Sequence, residues 1–289
     1  MNEMKTNPAI KTPTPRLARW RERYGPWAVV TGASDGIGRA FALQLSSMGL
    51  NLVLVARRAE ALSALAAELQ VTQGIDTRVI AADLARTEEV ERVLATTRDL
   101  DVGLLVAAAG FGTSGSFLDA NLDEERHMID VNCRAVMEMS LHVGQRLARR
   151  GRGGLVLMSS LLAFQGTPRA AGYAATKAYV QTLAEALRLE LRSLGVDVIA
   201  CAPGPIRSGF AARANMRMSL AAGPEIVAAA TLKSLGHRTT VRPGPLSKLL
   251  EYSLAVLPRR GRVRVMSLVM GGMTNHQNDE AKAQTGGPA

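Results

Sequence analysis

Tyr173 and Lys177 stand four residues apart in "AGYAATKAYVQTLAEAL" (171–187), a stretch with helical patterning. Residues i and i+4 share one face of a helix, so the Lys177 ammonium is expected beside the Tyr173 phenol. A neighbouring positive charge favours phenolate and should pull the tyrosine pKa below its ordinary value near ~10. A phenol tuned in that way can give or take a proton at neutral pH. Alone, the pair is also ordinary helix surface, so the rest of the chain must supply the chemistry.

A second candidate lies near the front. "TGASDGIGRA" sets Gly32, Gly36 and Gly38 between an apolar run and a helix. Glycines there permit positive φ and let backbone approach a pyrophosphate, whose charge the helix N-terminus stabilises. The plainer alternative is a glycine-rich turn needed only for packing.

The elements that must position these groups are legible as alternating patterns. Apolar, β-rich runs occur at 27–31, 51–56, 77–83, 102–108, 154–160 and 196–202, and 239–244 offers a seventh strand. Helical stretches lie near 38–48, 58–73, 87–99, 122–149, 172–194 and 223–235, with Gly49, Gly74 and Gly195 placed as stops. Continuous apolar strands alternating with helices predict an α/β fold: a doubly wound, Rossmann-like parallel sheet of about seven strands in a single domain. Ligands of such sheets bind beyond the carboxyl ends of the strands, which is where both candidates fall. The expected division is a flexible basic extension (1–24), the catalytic domain (25–245), a basic and apolar C-terminal extension (246–273) and a disordered polar tail (274–289).

Composition narrows the function. The net charge of +10 is concentrated at the ends: residues 1–24 hold six Lys or Arg against two acids, and 236–265 hold seven against one. Basic ends suit nucleic acid or anionic lipid, but aromatic residues are only 4% and no nucleic-acid reading motif occurs, so a nucleic-acid partner is not expected. His127, His142, His237 and His276 are scattered, and Cys133 and Cys201 form no CxxC, so no metal is expected and a reducing cytoplasm fits. No apolar run approaches the ~18 residues that a membrane-spanning helix needs.

The GxxxGxG spacing departs from the common GxGxxG. With the YxxxK that follows it, the chain resembles the short-chain dehydrogenase/reductase family, whose cofactor motif is TGxxxGxG, over roughly residues 26–245. The resemblance implies a catalytic serine thirteen residues before the tyrosine, which is Ser160, with Ser159 as the adjacent alternative. It also implies Asn132 as the fourth catalytic residue, holding a water that links Lys177 to solvent. Cofactor contacts carried over are Ser34, Asp35 and Ile37 in the glycine loop, Asp83 and Leu84 after the third strand, and Ala109 and Gly110 after the fourth. Pro203, Gly204, Ile206 and Ser208 follow the sixth strand, and Tyr173 and Lys177 complete the set. The family's NNAG reads "AAAG" here, 107–110, so an asparagine that braces the sheet is absent and a small stability cost is expected.

Cofactor choice follows from the end of the second strand. An acid there binds the ribose 2′-hydroxyl of NAD, whereas arginine suits the 2′-phosphate of NADP. Ala56 replaces the acid, and Arg57 and Arg58 come next. Guanidinium pairs well with phosphate, so NADP(H) is expected, with Arg57 the principal contact. The activity implied is a ketone–alcohol interconversion in which Tyr173 moves the proton, Lys177 tunes it and Ser160 holds the carbonyl oxygen. A catalytically idle cofactor sensor on the same fold is the alternative.

Phe210, Met216, Met218 and Leu220 in the segment after the sixth strand suggest an apolar pocket, which favours a fatty-acyl, steroid-like or aromatic ketone over a small polar one. Residues 246–273 look similar to a bacterial branch related to microsomal long-chain ketoacyl and hydroxysteroid reductases. Their apolar stretches, split by Pro258 and four arginines, leave open a lid, an oligomer arm or weak peripheral contact with anionic lipid. The family resemblance implies a homo-oligomer, dimer or tetramer.

Overall fold

The structure is a computed structural model that describes residues 14–218, 221–244, 247–248, 253–254 and 256–285. Seven parallel strands form one sheet: β1 (Trp27–Thr31), β2 (Asn51–Ala56), β3 (Thr77–Ala81), β4 (Val102–Ala107), β5 (Gly153–Met158), β6 (Val196–Cys201) and β7 (Thr240–Val241). Their order is β3-β2-β1-β4-β5-β6-β7. The chain therefore reverses direction across the sheet between β1 and β4, and this is the place where a crevice opens at the strand ends.

The central strands carry apolar residues on both faces because helices cover both. Every residue of β4 and β5 is buried. One face packs Val30, Leu52, Leu54, Leu104 and Ile199 with Phe41, Leu45, Leu62 and Val227 from the helices. The other packs Val29, Val53, Leu105, Leu155 and Val198 with Val90, Met139, Leu147 and Val180.

Helices among the described residues include, in chain order, α1 (Pro15–Tyr24), α2 (Gly36–Ser47), α3 (Ala59–Gln73), α4 (Thr87–Thr96), α5 (Leu122–Ile129), α6 (Ala135–Arg150), α7 (Ala171–Glu190), α8 (Phe210–Arg213), α9 (Pro224–Ser234) and α10 (Arg259–Thr285). Three differ from expectation. The stretch read as one helix over 122–149 is broken between α5 and α6 by a π-turn, Asp130–Arg134, that carries Asn132. Such turns insert a residue into the helical ladder and frequently mark functional positions.

At the front, the segment from Pro15, expected within a flexible extension, is a docked helix. Arg23 and Tyr24 both reach the Asp197 carboxylate, at 2.6 and 2.7 Å, and Trp20 stacks on Tyr24 at 4.6 Å. At the back, the polar tail expected to be disordered from residue 274 continues α10 to Thr285. Residues 1–13 and 286–289 lie outside the described residues, as does Leu220. Among the described residues no helix is long and apolar enough to cross a membrane.

Candidate active site

One cavity of about 830 Å³ runs along the carboxyl ends of β1, β2, β4, β5 and β6. Its first wall is the β1–α2 turn. Asp35 caps α2, its Oδ1 accepting from Gly36 N at 2.7 Å and its Oδ2 from Gly209 N at 3.0 Å, so it ties the glycine loop to the segment after β6. Gly36 has φ +49°, and a Cβ on Gly38 would fall on the Gly32 carbonyl oxygen. These glycines are thus demanded by the turn itself, which brings the N-terminus of α2 to the cavity.

Arg57 and Arg58 begin the second wall. Arg58 Nη2 donates to the Ser34 carbonyl at 3.1 Å and its hydroxyl at 3.2 Å, bracing the loop. Arg57 has no hydrogen-bond or ion-pair partner among the described residues, and its charge reaches Arg213, whose pKa is held down by burial and then by Arg57. Asp83 Oδ1 accepts from Ala85 N at 3.2 Å and lies 3.8 Å from His127 Nε2. Ser34, Ile37, Leu84, Ala109, Gly110, Pro203, Gly204, Ile206 and Ser208 line the same cavity. Leu161 N donates to the Pro203 carbonyl at 3.1 Å, and Gly204 N donates to Ser247 Oγ at 3.0 Å, fixing the turn after β6. Ala109 N donates to Thr31 Oγ1 at 2.9 Å, so "AAAG" retains a tie to β1.

The catalytic candidates converge where β5 meets α7. Tyr173 is only 8% exposed, and Ser160 is near enough to act on its phenol, favouring the phenolate. Ser160 lies just past β5, in extended backbone, and caps a short 3-10 turn by accepting from Leu162 N at 3.2 Å. Ser159 Oγ instead donates to the Lys177 carbonyl at 3.2 Å, which makes it a brace for α7. Lys177 is 5% exposed; its Nζ donates to the Met158 carbonyl at 2.9 Å and lies 5.7 Å from the Tyr173 ring centre.

Asn132 does not line the cavity but sits fully buried behind it. Its Nδ2 donates to the Phe111 carbonyl at 2.8 Å and to Thr176 Oγ1 at 3.0 Å, and its Oδ1 accepts from Phe111 N at 3.1 Å. The side chain thereby locks the segment after β4 against α7 at Thr176, the residue before Lys177.

The expected lowering of the tyrosine pKa is not what the surroundings produce. Burial pushes the Tyr173 phenol up to about 12, with nearby Ser160 opposing, because a phenolate there would lose its solvation. Burial likewise pulls Lys177 down to about 8, with Cys133 and Cys201 opposing. Spacing places the two groups near each other, but the loss of solvation by each sets the direction of both shifts.

Sequence reasoning missed several lining residues. Arg213 lies 3.6 Å over the Phe111 ring, and Phe111 in turn lies 5.4 Å from the His127 ring. Met266, Val269, Met270 and Met273 of α10 also line the cavity. The signal for α10 was present: Met266, Met270 and Met273 fall at i, i+4 and i+7, one stripe of a helix.

Residues 26–219 match the sequence model of a family described as short chain dehydrogenase. The chain belongs to the short-chain dehydrogenase family. It is 34% identical over 178 residues to a 7beta-hydroxysteroid dehydrogenase of Collinsella aerofaciens, covering 62% of this chain and 68% of that one. It is 40% identical over 189 residues to a very-long-chain 3-oxoacyl-CoA reductase of Podospora anserina, covering 64% of this chain and 55% of that one. A solved short-chain dehydrogenase from Sphingobium yanoikuyae in complex with NADPH superposes with a TM-score of 0.72 at 28% identity, covering 81% of this chain and 97% of that one. This short-chain dehydrogenase is accordingly an oxidoreductase that acts on CH–OH groups with a nicotinamide dinucleotide.

Proposed function

We propose that this short-chain dehydrogenase interconverts a bulky, lipophilic ketone and its secondary alcohol with NADP(H). The observation that carries the reading is the buried Tyr173 phenol beside Ser160, both lining one cavity where its polar and apolar parts meet. The polar half offers the glycine loop, the N-terminus of α2 and Arg57. The apolar half offers Leu162, Phe210, Met216 and Met270, and Phe210 stacks on Tyr173 at 5.3 Å.

The fit to a dinucleotide phosphate rests on chemistry that is otherwise unused. Arg57 has no partner among the described residues, no carboxylate ends β2, and a 2′-phosphate would supply an anion for it. Arg213, close enough to feel the Arg57 charge, adds a second cation to that wall. A nicotinamide bound here supplies hydride to carbon or accepts it.

The protein's own residues handle the oxygen and the proton. Ser160 Oγ donates to the carbonyl oxygen and stabilises the charge that grows on it. Tyr173 Oη gives that oxygen its proton during reduction and removes it during oxidation. With its pKa near 12 the phenol stays protonated at neutral pH, the form that reduction requires. Lys177, charged below about pH 8, faces the same space and favours the phenolate left behind. Asn132 fixes the backbone on which Gly110 and Phe111 sit, so the walls keep their spacing.

Exposed Ile129, Met137, Leu141 and Tyr179 on α5 to α7 support a homo-oligomer. The reading is tested by following NADPH and NADH oxidation against ketones from short keto acids to long-chain 3-ketoacyl thioesters and steroids. Turnover of a bulky ketone with NADPH in preference to NADH is expected. Preference for a short polar ketone, or for NADH, would overturn the substrate or cofactor half of the reading.

A further inference from the structure

The roof of the apolar half is one face of α10. Met266 and Met270 are buried and Met273 half-buried; all three line the cavity, and Met270 and Met273 pack in one cluster with Met216, Phe210 and Leu162. No step of the proton transfer uses them.

A polar cluster fastens this helix one turn beyond Met273. Gln277 Nε2 donates to Ser114 Oγ at 2.8 Å and to the Asn215 carbonyl at 2.7 Å. Gln277 Oε1 accepts from Arg169 Nη2 at 3.2 Å. Ser114 Oγ in turn donates to the Ala214 carbonyl at 2.6 Å, and Arg217 N donates to the Met273 carbonyl at 2.9 Å. Gln277 thus satisfies its amide on three separate segments of the domain.

Backbone strain falls in the same place. Among the described residues, Arg169 and Asn215 are the non-glycine residues with positive φ, at +64° and +48°. Left-handed backbone at an arginine is uncommon and persists only where the surroundings over-determine it. Both strained residues present a group to Gln277.

We propose that α10 is the size-setting roof of the substrate chamber and that Gln277, gripped by Arg169, Ser114 and Asn215, is the catch that holds it down. The substrate class this implies is a broad, apolar ketone clasped between two methionine-bearing walls. Thioether side chains refit to different outlines, so the roof limits size rather than demanding one shape. The substrate assignment rests on the reductase reading above; the catch does not.

Two measurements test this on the full chain loaded with NADP. Calorimetric binding of a steroid ketone is expected to weaken at least ~10-fold in Met273→Trp, the scale at which a filled apolar pocket rejects a ligand. Leu268→Trp, on the exposed face of the same helix, should bind as the parent does. Met266→Phe gives a second, milder blockade should the tryptophan variant fail to fold. Unchanged ketone affinity in the blocking variants, or an equal loss of NADPH affinity, would overturn the chamber assignment.

Hydrogen exchange measures the catch without any substrate. In Gln277→Ala the amides of α10 should exchange roughly fivefold or more faster, as expected for losing about one net hydrogen bond, while those of α7 stay unchanged. Equal exchange in both proteins would overturn the catch. Failure of every ketone to turn over in the parent protein would count against the reductase reading alone, because binding and exchange still judge the roof.

Discussion

Lys177 carries a charge in a place that penalises it, and raising the pH should relieve that penalty. Burial lowers its pKa from 10.5 to about 8 in the folded chain. Between those values the unfolded chain holds the proton and the folded chain does not, so stability rises with pH across this window. Below about pH 8 both states are charged and the full cost is present; above 10.5 both are neutral and it is gone. At 1.36 kcal/mol per pH unit the gap amounts to roughly 3 kcal/mol.

Other buried groups act with the opposite sign. Cys201 and Tyr173 are both raised to about 12, so each withdraws stability as the pH climbs past its unfolded value. The measurement is therefore a difference: urea unfolding of the parent and of Lys177→Met from pH 7 to 10.5. The parent should gain on the variant by roughly 3 kcal/mol between pH 8 and 10.5. Parallel curves would refute the claim that burial, rather than a compensating anion, sets the state of Lys177. In the same range, NADPH affinity of the parent should fall above pH 8 as the ammonium is lost, and that of the variant should not.

Three further outcomes follow from the same geometry. Tyr173→Phe keeps the ring against Phe210 but removes the proton donor, so kcat should drop about 10²–10⁴-fold with NADPH binding intact, as read by steady-state kinetics and fluorescence titration. Arg57→Asp places a carboxylate where a 2′-phosphate is expected, and kcat/KM with NADPH should fall roughly 10–100-fold while that with NADH holds or improves. Gly110→Ala puts a Cβ at 2.9 Å from Asn132 Oδ1 and 3.3 Å from Lys177 Nζ. It should cost about 1–3 kcal/mol in urea unfolding and reduce turnover as well, since the displaced groups serve the site.

The sequence made the scaffold readable because scaffold signals are local. Six apolar runs separated by helical patterns imply a parallel sheet, and glycines at the first junction imply a turn that a Cβ would block; β1 and Gly38 bear this out. β7 has two residues, Thr240–Val241, where six were expected, because Pro243 and Gly244 just beyond it are poor strand formers and Pro243 has no N–H to give to the ladder. The π-turn at Asp130–Arg134 was invisible because its cause is distant: Asn132 is held by the Phe111 backbone, 21 residues away. A uniform helical pattern contains no trace of that contact.

The Tyr173 pKa shows where spacing stops being informative. Four residues on a helix bring an ammonium near a phenol, but the sign of the shift depends on how much water both groups lose, which is set by β5, α8 and the segment after β4 together. The C-terminal helix poses the same difficulty from the other side. Its methionine stripe was legible as a helix face, whereas its partner was not, since arginines at 259, 260, 262 and 264 suit a lipid surface as well as a protein edge. Met270 and Met273 of the stripe pack with Met216 and Phe210 and line the cavity, the arrangement that a lid, one of the alternatives the sequence left open, would have.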